Sequence, residues 1–274
     1  MPAEEATVEG RVITVFAAKG GCGKTTVATN LAVALAAGGT RSVCLVDLDM
    51  SFGDVAIAMQ LFPTRSIADA VAMRDKLDEA GVRSLLTPHS PGLDTLLAPL
   101  EPGDAEKIPT AVVSEVLSVL RRSYDFVVVD TPPDFKDWVL AALDLSDVYV
   151  LLATLDVPAL KNLRLTLDML DLLGYPRESW QIVLNRSDSK VGLHLADVEK
   201  TLKVPIAAQI PSSRAVSMSI NRACRSYWSS RTTRSVLRSG PSQSNGSRAA
   251  SPRAPPRRQA RAPAQRPPHA GASP

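Results

Sequence analysis

Lys19-Gly20-Gly21-Cys22-Gly23-Lys24-Thr25-Thr26 is the stretch whose reading decides the fold. It follows the apolar run Val12-Ile13-Thr14-Val15-Phe16 and leads into residues 26–37, rich in Val, Leu and Ala, so it reads as strand, glycine loop, helix. That is the setting of a phosphate-binding loop. The strict pattern G-x-x-x-x-G-K-[ST] asks for glycine at position 18, where this chain has Ala18, with Lys19 after it. Gly20, Gly21 and Gly23 let the backbone, with Cys22 and Thr26, turn its N–H groups inward around phosphate oxygens, and the helix N-terminus favours the same anion. Lys24 is placed to neutralise β/γ-phosphate charge and Thr25 to offer its hydroxyl to Mg²⁺. A glycine turn without a ligand is the alternative. Strand, three glycines, Lys-Thr and helix in one run outweigh it and predict a nucleotide site.

Outward from the loop, Ser42-Val43-Cys44-Leu45-Val46 is continuously apolar after its first residue, as a strand buried on both faces of a parallel sheet must be. It ends in Asp47-Leu48-Asp49. Carboxylates at alternate positions beyond a strand's C-terminal end point the same way, towards the edge where parallel sheets bind ligands. Beside a phosphate loop they suit water-mediated Mg²⁺ binding and water positioning. A second such strand, Asp125-Phe126-Val127-Val128-Val129-Asp130, ends in Asp130-Thr131-Pro132-Pro133, and Asp130 at its tip is a further candidate for holding Mg²⁺. Further strands are predicted at 91–98, 148–153, 180–184 and 204–210. Helices are predicted at 63–84 with Thr64 or Ser66 as cap, at 108–122, at 160–173 closed by Gly174, and at 195–202. Strands alternating with helices indicate an α/β fold, a doubly wound, mainly parallel sheet flanked by helices with its site on one edge.

The chain has 274 residues, 45% of them hydrophobic, enough for one large α/β domain or two small ones. No run of about 18 apolar residues suggests a membrane span, and the acidic start Met1-Pro2-Ala3-Glu4-Glu5 does not read as a signal peptide. Cys22, Cys44 and Cys224 are far apart, with no disulfide or zinc spacing, so a reducing cytoplasm is the expected home. The net charge of +3 is unevenly spread. Residues 223–274 hold ten arginines and no Lys, Asp or Glu, which leaves residues 1–222 at −7.

Taken together, K-G-G-x-G-K-T-[ST], D-x-D after the second strand and D-T-P-P after a later one resemble the deviant Walker ATPases of the MinD/ParA class. Val46-Asp47-Leu48-Asp49-Met50-Ser51-Phe52-Gly53-Asp54, Ser66-Ile67-Ala68-Asp69, the run from Thr154 to Asn162 and Val183-Leu184-Asn185-Arg186 are similar to the CpaE/TadZ branch, which serves Tad (Flp-type) pilus and secretion assembly. The likeness covers residues 11–222. It implies an ATP- and Mg²⁺-dependent homodimer with slow turnover that positions pilus or secretion assembly proteins. The expected home is the cytoplasm, with indirect recruitment to the inner face of the membrane at a pole or septum. In such a dimer Lys19 would reach the partner's phosphates, Lys24 and Thr25 would bind phosphate and Mg²⁺, and Asp49 would orient the attacking water. Asp47 and Asp130 would support the metal, Asn185 with Arg186 beside it would meet the adenine edge, and Pro211 would flank the base. Two family features are not expected here: only about ten residues precede the first strand, too few for a receiver-like domain, and no MinD-like C-terminal membrane helix is visible. A ParA-like partition ATPase binding DNA non-specifically is the competing reading, and a MinD-like positioning ATPase another. The acidic body opposes nucleic-acid binding unless the arginine tail supplies it.

From Ala223 the composition turns to Arg, Ser, Pro and Ala, which predicts a disordered tail over 223–274 after an ATPase domain at 11–222 and an extension at 1–10. Three readings of the tail stay open: a solvated linker, a basic arm for nucleic acid or anionic lipid, and a shifted reading frame. The third follows from the genetic code. If Arg and Ser use their four-fold codons, Ala223-Cys224-Arg225-Ser226-Tyr227-Trp228-Ser229 read two bases on encodes mostly apolar residues, the strand-like segment that the family fold would supply there.

Overall fold

The computed structural model describes residues 9–213 apart from 102, 189–192 and 194, so the expectations for residues 1–8, for the end of the ATPase domain at 214–222 and for the tail lie outside the described residues. Within the described residues eight strands form one sheet: β1 (Arg11–Phe16), β2 (Val43–Asp47), β3 (Thr87–Ser90), β4 (Leu93–Leu96), β5 (Phe126–Asp130), β6 (Val148–Thr154), β7 (Trp180–Asn185) and β8 (Ile206–Ile210). Their spatial order is β3-β4-β2-β5-β1-β6-β7-β8. Every neighbouring pair is parallel except β3 with β4, at one edge. The mainly parallel, helix-flanked sheet read from the sequence is therefore the fold.

Among the described residues seven α-helices accompany the sheet: α1 (Lys24–Ala36), α2 (Val55–Ala58), α3 (Glu79–Arg83), α4 (Thr110–Ser123), α5 (Asp137–Asp144), α6 (Val157–Leu173) and α7 (Leu195–Leu202). Side chains of a strand alternate between faces, and the central strands bury both. Ile13, Val15, Leu45, Val128 and Val150 pack on Val27, Leu31 and Leu35 of α1. Val12, Val46, Val127 and Val129 pack on Val112, Val116 and Leu120 of α4 on the opposite face. Further along that same face, Phe16, Leu151 and Leu184 meet α5, α6 and α7 through Val139, Leu163, Leu167 and Val198. Each such fully buried Leu or Val contributes about 1.5–3 kcal/mol relative to exposure, so the central strands are the rigid frame of the molecule.

The boundaries have local causes. The Asp156 side chain accepts the Ala159 N–H at the start of α6, Pro158 sits in the first turn, and Gly174 closes the helix at φ 79°. In residues 63–84 the predicted single helix is instead a 3₁₀ run over Ile67–Lys76 followed by α3. Ser66, not Thr64, is the cap, and Asp69 returns the capping bond to the Ser66 N–H. Asp78 then caps α3 through the Gly81 N–H at 2.7 Å, which starts the second helix afresh. The segment predicted at 91–98 is β4, and β3, α2 and α5 are elements that periodicity did not announce.

Candidate functional site

β1, β2 and β5 are neighbours, and their C-terminal ends place the glycine loop, Asp47 and Asp130 along one edge of the sheet. Asp47 and Asp130 are register partners across β2 and β5. The edge lies where the chain winds from β1 leftward to β2 and from β5 rightward to β6, the position where open parallel sheets bind ligands.

The loop itself depends on two left-handed glycines. Gly21 has φ 74° and Gly23, the residue before α1, has φ 91°. No side chain caps α1 and its first turn holds no acid, so its first N–H groups point into the loop with the positive end of the helix dipole behind them. A Cβ on Gly23 would lie 2.5 Å from the Asn185 Nδ2, and that amide donates to the Cys22 carbonyl at 2.8 Å. Gly23→Ala is therefore expected to push Asn185 off the loop as well as strain φ, at a cost of about 1–3 kcal/mol. Thermal unfolding of the ligand-free variant would show this as a lowered Tm; an unchanged Tm would contradict the contact.

Lys24 is buried, with 9% of its surface exposed, and Thr25 is half-buried beside it. Both face Asp130. Burial pushes the Asp130 carboxyl up to about 7, while the Thr25 hydroxyl and the Lys24 ammonium oppose the rise. Burial, then the charge of Asp130, holds Asp47 well above the usual carboxylate range. The two acids differ in what they have left to give. Asp47 is occupied: Oδ1 accepts the Asp49 N–H at 3.0 Å and Oδ2 the Val55 N–H at 3.2 Å, which ties the 48–55 turn to the end of β2. Asp130 Oδ1 is buried and has no hydrogen-bond partner among the described residues. Such an orphaned acceptor facing a hydroxyl and an ammonium suits a hydrated divalent cation, and the residues present fit Mg²⁺ with a nucleotide phosphate. Asp49 is half-buried, and its Oδ1 accepts the Phe52 N–H at 3.2 Å.

Lys19 is engaged in an ion pair within the chain. Its Nζ lies 3.0 Å from Asp156 Oδ1, with 39% and 35% of the two side chains exposed. The hydroxyl of Thr154 donates to the other oxygen of Asp156, and it is the first cause that holds this carboxyl below its ordinary value, ahead of the Ala159 N–H and Lys19. Asp156 lies ahead of the helix expected at 160–173, and nothing in its spacing marks it as functional; the helix in fact begins at Val157 with Asp156 as its cap. The pair is 137 positions apart, and only the β1–β6 neighbourhood joins it.

Asn185 and Arg186 stand at the end of β7, Arg186 exposed and left-handed at φ 54°. Pro211 is exposed just past β8, and the Ser187 N–H bonds the Ile210 carbonyl while the Ser212 N–H bonds Asp188 Oδ1, which brings the two strand ends together. Every residue singled out from the sequence is thus on the one edge. Lys24, Thr25 and Asp130 are in mutual reach; Asn185 holds the loop through Cys22; Pro211 lies at the β7–β8 end.

A glycine loop between β1 and α1, with a buried lysine and the threonine after it opposite a strand-tip aspartate, defines a phosphate-loop nucleotide hydrolase. Residues 10–175 match the AAA domain family model, and the chain belongs to that family as a P-loop ATPase of the MinD/ParA class. It is 26% identical to the septum site-determining protein MinD of Thermotoga maritima over 77% of this chain and 79% of that one. Among solved structures it resembles a ParA family ATPase from Chlorobium tepidum TLS, with 25% identity, TM-score 0.73, and 77% and 89% of the two chains covered. It also shares the fold of the septum site-determining protein MinD complexed with Mg-ADP from Pyrococcus horikoshii OT3, at 22% identity and TM-score 0.68 over 78% and 86% of the chains.

Proposed function

We propose that this ATPase is a nucleotide-driven dimerisation switch that positions or assembles pilus or secretion machinery in the manner of the CpaE/TadZ branch. The observation that carries the switch is Lys19: a cation ahead of the loop, on the exposed rim, outside the cluster of Lys24, Thr25 and Asp130 that serves the same nucleotide. A lysine so placed, once released from Asp156, would reach a second copy's phosphates. Bound Mg²⁺ would neutralise charge on the β- and γ-phosphates. The chain's own part is positioning: α1 N–H groups and Lys24 hold phosphate, Thr25 and Asp130 hold the hydrated cation, and Asp49 orients water. Asn185 braces the loop through its Cys22 bond, and its remaining amide N–H is what could meet a base.

Lys19→Ala is expected to abolish ATP-dependent dimerisation and to cut hydrolysis by about 100-fold or more, the scale of one lost transition-state donor. Sedimentation and phosphate release measure it. A variant that dimerises and turns over normally would remove Lys19 from the site. A MinD-like positioning role has support from the relatives, and cargo separates the two: deleting the gene would remove surface pili in one case and displace septa in the other. Among the described residues no helix is long and apolar enough to cross a membrane. A cytoplasmic protein with indirect membrane recruitment, and an ATPase body at 11–222, remain parts of this reading.

A further inference from the structure

Lys19 and Asp156 form an ion pair within one protomer, and the dimer reading assigns the same ammonium to a partner's phosphates. One cation cannot serve both. Asp156 is anchored without Lys19: it caps α6 through the Ala159 N–H at 2.9 Å and receives the Thr154 hydroxyl. Lys19 is the movable member, since it opens onto Gly20 and Gly21, both exposed, where an added Cβ would meet nothing within 4 Å. We propose that Asp156 is a positioning residue that holds Lys19 in cis in the free protomer, so that dimerisation exchanges this pair for a phosphate contact. The idea rests on the dimer reading and adds a threshold to it. At low ATP the lysine stays with its own α6 cap, and only a phosphate-loaded partner outcompetes it.

Asp156→Asn and Asp156→Ser both keep a side-chain cap for α6 while removing the charge. An exposed pair of this kind corresponds to about a two- to fivefold bias per protomer. Two protomers compound it, so the dimerisation constant of either variant should rise by about four- to twenty-five-fold at low salt. The gap from wild type should narrow towards unity near 1 M salt, because the pair is screened there and a capping bond is not. In a Lys19→Ala background, Asp156→Asn should leave monomer ATP affinity unchanged; a rise there would mean simple relief of repulsion and would overturn the proposal. Variants that dimerise like wild type, or less well, also overturn it. A wild-type chain that never dimerises with ATP would sink the dimer reading and this inference together, whereas wild-type dimers with unaffected variants would sink only the inference.

Discussion

Lys24→Ala is expected to lower ATP hydrolysis by about 10²–10³-fold, the cost of removing one preorganised charge from developing phosphate charge. The expectation rests on burial as much as on the motif. Lys24 is 9% exposed, so its ammonium acts in a poorly screened setting, where one charge counts for more than at the surface. The same substitution has a consequence without nucleotide. The Lys24 charge opposes the upward push on Asp130, so its loss drives that carboxyl further towards its protonated form. Phosphate release, with the ATP-induced shift in Tm read in parallel, checks both. Hydrolysis within about threefold of wild type would mean that Lys24 does not face the reacting phosphate.

Asp130→Asn is expected to do two opposite things. Without ligand it should stabilise the protein. Asp130 sits at 1% exposure, across from Asp47 in the register, and burial has raised its carboxyl to about 7. A folded-state value above the unfolded one means that the native protein binds the extra proton, so stability falls as pH rises from about 4 to 7. The asparagine removes that loss, and Tm at neutral pH should rise by roughly 3–8 °C, with the difference from wild type vanishing below about pH 4. With Mg²⁺ and ATP the order reverses: the free acceptor on Asp130 is gone, and hydrolysis should drop by about 100-fold or more. A variant equally stable at neutral pH would show that the acid is already relieved by something else. A variant as active as wild type would remove Asp130 from the metal's surroundings.

The readable part of this molecule is the part whose residue types are forced. β1, β2, β5, β6 and β7 are buried on both faces, so they had to be largely apolar runs, and an acid at the tip of such a run is conspicuous. Gly21 and Gly23 were forced by left-handed φ. β3 was not readable, because Thr87-Pro88-His89-Ser90 carries no apolar pattern and exists by antiparallel pairing with β4. The 3₁₀ run over Ile67–Lys76 has a helix-like sequence, and its capping box predicts a start without predicting the tighter winding.

The site divides the same way. Residue identities at the loop and strand tips were legible, and their pairings were not. That Asn185 donates to the Cys22 carbonyl depends on the end of β7 approaching a loop 163 positions earlier, and that Asp156 holds Lys19 depends on β6 lying beside β1. Nor does spacing distinguish Asp47, whose oxygens are committed to the 48–55 turn, from Asp130, which has one to spare.

In the proposed switch, ATP joins two copies through this edge. Light scattering of the full chain during gel filtration, with Mg²⁺ and either ATP or no nucleotide, tests it, with Lys24→Ala as the control that keeps the fold and loses the phosphate. Wild type with ATP is expected to run as a dimer, and the other cases as monomers. A wild-type chain that stays monomeric with ATP, or is dimeric regardless of nucleotide, would contradict it.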